Sequence, residues 1–378
     1  MQIYYWCPFL TKIATIDAVK NSAIALKKYS NDSQNLTVKI LNSFGEWDFF
    51  KNNNFNIGVH EMQKINAYNF FPKNGLFYSR FTFIIIFILN FFPLLKLIKK
   101  QKPDYIIIHL LTILPIILSP FISKHTKIIL RISGLPKMHF LRKVLWKFFA
   151  KYIFLITTPT NLTKKLLIEN KIFEADKIKL LRDPIISSKN INNLRKRKID
   201  IPCPNDEFYL AIGRLTGQKN FSFLIKMFAK NINKFKIKKL LIIGSGEEFK
   251  YLNKLILKNN AQNNIYLLGF KKNVYSYIKK SSAIISTALY EDPGFALIEA
   301  CYMKKKIICS LVNNGPIEMH NHSNMGYFFK SDNADDFLEK ITFSENDPDS
   351  KVKIKNALIF AKNFTLYSHF KNLNNFVR

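Results

Sequence analysis

"EFYLAIGRLTGQKNFSFLIKMFAKNI", residues 207 to 232, joins an apolar run, a polar loop and a helical pattern in one unit. An apolar run ends at Gly213, a polar loop follows, and the chain then takes on helical patterning. The unit repeats. "KKLLIIG" (238–244), "NIYLLG" (264–269), "AIISTA" (283–288) and "KIICSL" (306–311) are further short apolar runs, separated by helical segments such as "EEFKYLNKLILKN" (247–259). Strands that lack polar alternation are buried on both faces, and strand alternating with helix implies a parallel sheet with right-handed crossovers.

The same alternation stands upstream in "DYIIIHL" (104–110), "TKIILRI" (126–132) and "YIFLITT" (152–158). At the start, the strand "IYYW" precedes a helical stripe of Ile16, Val19, Ala23 and Leu26, with Lys20, Lys27 and Lys28 outside it. Between the two alternations, "RDPIISSKNINNLRKRKIDIPCPND" (182–206) is polar, basic and broken by prolines, and reads as a connection. A chain of 378 residues exceeds one ordinary core. The expectation is therefore an α/β protein of two doubly wound, Rossmann-like domains facing across a cleft. Residues 1–183 form the first domain, 184–205 a linker and 206–364 the second. Ligands in such folds bind beyond the carboxyl ends of the strands.

Lys+Arg number 58 against 26 Asp+Glu, a formal charge of +32. Such an excess fits a nucleic acid, an anionic membrane surface or a phosphorylated substrate, and equally a chain biased throughout toward Lys, Asn, Ile and Phe. A nucleic-acid surface calls for cations interleaved with aromatics on one face, whereas here they spread through both halves; nucleic acid is not expected as a partner. Cys7, Cys203, Cys301 and Cys309 form no CxxC pair, which argues against structural zinc and a secreted disulfide framework, so a cytoplasmic protein is expected. "MQIYYWCPFLTK" lacks the features of a secretory signal. "FTFIIIFILNFFPLLKLI" (81–98) is the one candidate span; its length, Asn90 and Pro93 favour a buried or membrane-surface helix.

The loops after the second-domain strands carry the chemistry. In "GRLTGQKN" (213–220), Arg214 and Lys219 sit on a loop feeding a helix, where cations beside backbone N–H groups suit a diphosphate. In "IIGSGEE", Gly244 and Gly246 permit a tight turn or close approach of a ligand, but Phe249 spoils a GxGxxG fingerprint and disfavours a dinucleotide. After Gly269, Phe270 reads either as a turn residue or as a partner for a nucleobase. "LYEDPGFALIEA" (289–300) spaces Glu291 and Glu299 around Pro293 and Gly294. If a helix starts near Gly294, the N–H groups of Gly294, Phe295 and Ala296 offer a phosphate site. Glu299, about 7.5 Å further along, then reaches hydroxyls attached near that phosphate, as on a ribose.

Together "GRLTGQKN" and "EDPGFALIEA" resemble the donor-phosphate loop and E-x7-E motif of the retaining glycosyltransferases of family 4, which have the GT-B fold. The resemblance is strong over 206–320 and looser before. It implies that Arg214 and Lys219 bind the diphosphate with Gly213 at the strand end, Glu299 the ribose and Glu291 the donor sugar. "KPDYIIIH" (102–109) is similar to the family's strand ending in a functional histidine, which implies a site role for His109; a histidine after a strand is as often structural. "CPFLTKIATID" (7–17) departs from the family's glycine pair, leaving Thr11, Lys12 and Thr15 as acceptor-side candidates. "FTLYSHFKNLNNFVR" resembles the family's C-terminal helix that crosses back to the first domain, here 365–378.

The implied activity is metal-independent hexosyl transfer from a nucleoside-diphosphate sugar to a glycan or lipid-linked acceptor, in surface polysaccharide or lipopolysaccharide synthesis, without a cofactor. "DPD" (347–349) has the spacing of a metal-binding Asp-x-Asp but reads as a turn. The basic, aromatic stretch 131–151 suits either an anionic lipid surface or packing on its own sheet. The alternatives are a sugar-nucleotide 2-epimerase of the same fold and a basic nucleic-acid-binding protein.

Overall fold

The computed structural model describes every residue except 12, 65, 72–75, 135, 137, 200, 204, 205, 238, 323 and 378. Two compact units emerge, Met1–Pro184 together with Leu366–Arg378, and Ile185–Thr365.

The first unit holds seven strands: β1 (Gln2–Trp6), β2 (Thr37–Asn42), β3 (Gly58–Glu61), β4 (Tyr105–Ile108), β5 (Lys127–Arg131), β6 (Leu155–Thr158) and β7 (Ile178–Leu180). They pair in parallel in the order β3-β2-β1-β4-β5-β6-β7. Alternate residues serve opposite faces, as the two-residue strand period requires. Ile3, Tyr5, Ile107 and Ile129 enter one core; Tyr4, Trp6, Ile106, Ile108 and Leu130 enter the other. Helices Ala14–Tyr29 and Leu366–Phe376 pack in the first core, through Ile16, Val19, Ala23 and Leu26 and through Leu366 and Leu373. Helices Leu76–Gln101 and Phe140–Phe149 pack in the second through Leu94, Ile98 and Trp146.

One side of the candidate span therefore packs into the first unit's own core. Helix Leu76–Gln101 continues through Pro93, whose ring nitrogen cannot donate to the carbonyl of Leu89. Gln63 Nε2 donates to that oxygen instead, at 2.8 Å.

In the second unit, β8 (Phe208–Ile212), β9 (Lys239–Ile243), β10 (Ile265–Leu267), β11 (Ala283–Ser286), β12 (Lys306–Leu311) and β13 (Tyr327–Lys330) form a parallel sheet in the order β10-β9-β8-β11-β12-β13. Phe208, Leu210, Leu241 and Ile284 fill one face, Tyr209, Ala211, Leu240 and Ile285 the other. Both sheets are doubly wound, with the crossover of order at β1/β4 and at β8/β11.

The stretch 184–205 is not a free linker. Ile185, Ile186, Ile191, Ile201 and Cys203 are buried in the second unit's core, Ser188–Leu194 is helical, and Ile186 bridges to Thr365. Widely spaced apolar residues between charges hid this packing. "DPD" is likewise built in: Asp347 is buried, accepts from Lys353 Nζ at 2.5 Å and Tyr327 Oη at 2.8 Å, and starts the turn before helix Ser350–Lys362. All four cysteines are buried free thiols.

Candidate functional site

The reversal of strand order places the carboxyl ends of β8 and β11 side by side, with β12 next to them. Three loops meet there. The loop after β8 carries Arg214 and Lys219, and the loop after β11 carries Glu291. Lys219 Nζ donates to Glu291 Oε1 at 2.5 Å, and both side chains are largely buried. Gly213 makes room for this: a Cβ there would lie 3.1 Å from the Lys219 side chain. Gln218 ties the two loops, accepting at its carbonyl from Leu289 N–H (2.8 Å) and donating from Nε2 to the Tyr290 carbonyl (2.9 Å). Arg214 is exposed and reaches Gln218 Oε1 at 3.4 Å.

Helix Phe295–Tyr302 begins after Gly294, whose φ of +94° suits glycine. No side chain caps it, so the first N–H groups lack a partner from that source. Phe295, Ala296, Glu299 and Tyr302 are its partly exposed positions, spaced as one helical face, so Glu299 stands one turn beyond the open N-terminus on the same side. Tyr275 Oη, at the start of the helix that follows β10, donates to Glu299 Oε1 at 2.8 Å. The β12 loop closes the other flank: Asn314 Nδ2 donates to Tyr290 Oη at 2.8 Å, and Gly315 N–H donates to the Glu291 carbonyl at 3.1 Å. Burial and Asp292 push the Tyr290 phenol up to about 12, so it stays protonated. Three buried polar atoms, Thr216 Oγ1 and Asn314 Oδ1 in these loops and Glu248 Oε2 in the loop after β9, have no partner within the protein.

Gly244 and Gly246 bring two loops of the second unit together. A Cβ on Gly244 would lie 1.8 Å from the Gly213 carbonyl oxygen, and one on Gly246 2.3 Å from that of Leu215. The close approach they permit is to the chain's own backbone, which fixes the loop bearing Arg214 and Lys219. Phe270 follows Gly269 and is 73% exposed.

In the first unit, His109 follows β4 with its N–H bonded to the Trp6 carbonyl at 2.9 Å. Its Nδ1 is buried without a partner, and burial, then Arg131 and His369, hold its pKa well below the ordinary value, so the imidazole is neutral. Beside it runs a directed chain that sequence reading missed. His369 Nδ1 lies 2.7 Å from the Arg182 carbonyl and must donate; Nε2 then accepts from Ser22 (2.8 Å), which accepts from Tyr5 Oη (2.7 Å). Arg131, expected in the lipid-facing stretch, is instead buried and paired with Asp183 at 2.6 Å. Its position inside a central strand leaves it no route to the surface. Thr11 is exposed and Thr15 lies in the first turn of helix Ala14–Tyr29; Lys12 falls outside the described residues. Among the described residues no three His, Cys, Asp or Glu side chains converge as a metal set.

A family model for glycosyl transferases group 1 matches residues 194–359. The chain is 32% identical over 289 residues to an uncharacterized glycosyltransferase of Methanocaldococcus jannaschii, covering 69% of this chain and 68% of that protein. It is 26% identical over 199 residues to a Campylobacter jejuni N-acetylgalactosamine-N,N'-diacetylbacillosaminyl-diphospho-undecaprenol 4-alpha-N-acetylgalactosaminyltransferase, covering 52% of this chain and 53% of that one. An Anabaena protein solved in complex with UDP aligns with a TM-score of 0.73 at 15% identity, over 99% of each chain, a likeness of fold. The architecture is that of GT-B.

Proposed function

The chain belongs to the group 1 glycosyltransferases, and from that premise we propose that it moves a hexosyl group from a nucleoside-diphosphate donor to a hydroxyl of a glycan or lipid-linked acceptor. The anomeric configuration is retained, no metal takes part, and the product enters a surface polysaccharide or lipopolysaccharide. The reading is that of family 4. The observation that carries it is the meeting of Lys219 and Glu291, from loops 72 residues apart, beside the uncapped helix end before Glu299. The Campylobacter relative acts on a diphospho-undecaprenol substrate, and the Anabaena protein holds UDP, which supports this donor and acceptor class.

In the reaction the bond from the anomeric carbon to the diphosphate oxygen breaks, a bond from that carbon to the acceptor oxygen forms, and the proton of the acceptor hydroxyl passes to the departing diphosphate. Charge develops on the leaving diphosphate. Arg214, Lys219 and the N–H groups of Phe295 and Ala296 stabilise it, a preorganised electrostatic contribution of the kind that dominates many enzymes. Glu299 accepts from ribose hydroxyls, Phe270 packs on the base, and Glu291 orients the donor sugar. His109, neutral, acts on the donor-sugar side, and Thr11, Lys12 and Thr15 face the acceptor. The enzyme is cytoplasmic and peripheral, meeting an anionic membrane surface through the basic helix Phe140–Phe149.

Incubation with a panel of nucleotide-sugars tests the reading. A donor that raises the melting temperature and, with a polyprenyl-diphosphate glycan, yields a product of unchanged anomeric configuration is the expected result. An isomerised sugar nucleotide released without acceptor would favour the epimerase instead.

A further inference from the structure

Helix Leu76–Gln101 is apolar on its outward side as well as on its inward one. Its inward stripe includes the polar Thr82 and Asn90, both fully buried, among Ile86 and Leu94. Asn90 Nδ2 is satisfied only by the helix's own Ile86 carbonyl at 2.9 Å, and its Oδ1 has no partner within the protein. The outward stripe is apolar: Phe81, Ile84, Ile88 and Phe92 are 54%, 56%, 64% and 74% exposed. These positions recur at the three- and four-residue spacing of one helical face.

A second exposed stripe comes from helix Phe140–Phe149, where Phe140, Leu141, Val144 and Phe148 face outward and Trp146 faces in. Trp146 and Leu94 share one core cluster, so both helices belong to the layer on the same face of the first sheet. Exposed apolar stripes of this kind mark an interaction site. Charge names the partner. Asp104 is the only acidic residue between Glu61 and Glu169, while Lys96, Lys99 and Lys100 end the first helix and Lys143 and Lys147 flank the second stripe. A second copy would bring cations against cations, whereas anionic lipid headgroups complement them.

We propose that helix Leu76–Gln101 lies in the plane of an anionic bilayer surface, its Phe81–Ile84–Ile88–Phe92 stripe sunk below the headgroups and its terminal lysines among them. The proposal deepens the membrane-surface part of the function above, which by itself asks only for electrostatic contact at helix Phe140–Phe149. Spanning is excluded by the core contacts: Ile86, Leu94 and Ile98 are buried within the unit and would have to leave it. In-plane helices of this type bind through buried apolar area plus attraction to anionic lipid.

The test uses the full chain with phosphatidylcholine vesicles, with and without phosphatidylglycerol. Because the native cysteines are all buried, an Ile88→Cys variant can be labelled selectively with an environment-sensitive fluorophore. The expected results are co-sedimentation with the anionic vesicles, a blue shift of the label, and quenching by a lipid spin-labelled just below the headgroup. Ile88→Glu should lower the bound fraction about tenfold or more, the effect of one large apolar side chain left unburied, with the melting temperature unchanged. Binding lost in Lys143→Glu/Lys147→Glu but untouched in Ile88→Glu, with a silent label, would overturn the proposal and leave simple electrostatic contact. Resistance to alkaline carbonate extraction would overturn it in favour of spanning, and an Ile88-dependent dimer without vesicle binding would assign the face to a second copy. Donor-induced thermal shift in the absence of vesicles reports on the transferase reading alone, so either failure is recognised separately.

Discussion

Lys219 and Glu291 hold each other in a site with little water, so removing one partner strands the other. Lys219→Ala is expected to lower turnover about 10²-fold or more, from the ~2.7 kcal/mol of one lost transition-state contact; turnover near normal in a folded variant would remove the lysine from the mechanism. Glu299→Ala should act on donor affinity instead, read by calorimetric titration with a nucleoside diphosphate. Tyr275→Phe deletes only the hydroxyl that fixes Glu299. An increase in donor KM of about fivefold with kcat preserved is expected from the ~1 kcal/mol of one hydrogen bond. Arg214, Lys219, Glu291 and Glu299 were legible because each stands in a loop or helix start beside a recognisable strand. Tyr275, Gln218 and Asn314 were not, because their roles exist only through partners 24, 72 and 24 residues away.

At the level of elements, the glycines of "GSG" show how spacing reveals a close approach without naming its partner. Spacing says that backbone comes close to something at Gly244, but not whether that is a ligand or the chain itself. Gly244→Ala would drive a Cβ into the Gly213 carbonyl and displace the loop holding Lys219. The expected cost is about 1–3 kcal/mol, as for other overpacked sites, measured by urea unfolding, together with weaker nucleotide binding. The apolar runs of β4, β5, β6, β8, β9, β11 and β12 could be read directly, since strands covered on both faces carry almost no polar residue. The edge strands β3, β7 and β13 escaped: "GVHE", "IKL" and "YFFK" are short, and each carries a charged residue. β2 escaped for a different reason. Its Lys39 interrupts the run, yet the ammonium lies over the Tyr4 ring at 5.3 Å and fits a half-buried strand.

For the whole molecule, pH links burial to stability. Burial pulls the His369 pKa down to about 3, and His109 moves the same way, so both stay neutral when folded while the unfolded chain protonates them near 6.5. Stability is thus retained above about pH 6.5 and lost as pH falls below it. Glu46 opposes this. Burial raises its carboxyl to about 7, so it is protonated when folded but not when unfolded between about pH 7 and 4.5, and it favours the folded state as pH falls through that window. Two histidines act against one carboxyl, so stability falls as pH drops from 6.5 toward 4.5. Urea midpoints measured from pH 7 to 5 should fall accordingly, and Glu46→Gln, which removes the opposing carboxyl, should steepen the fall. None of these three environments could be read from composition, because each depends on what encloses the side chain.

The helix Leu366–Phe376 packs on residues from the opposite end of the chain. During synthesis the first 184 residues therefore emerge with one flank uncovered, and they wait for the whole second unit to be translated before Leu366 and Leu373 arrive to seal it. A nascent chain halted before residue 366 should bind chaperones through that flank, and release should follow once the helix clears the ribosome.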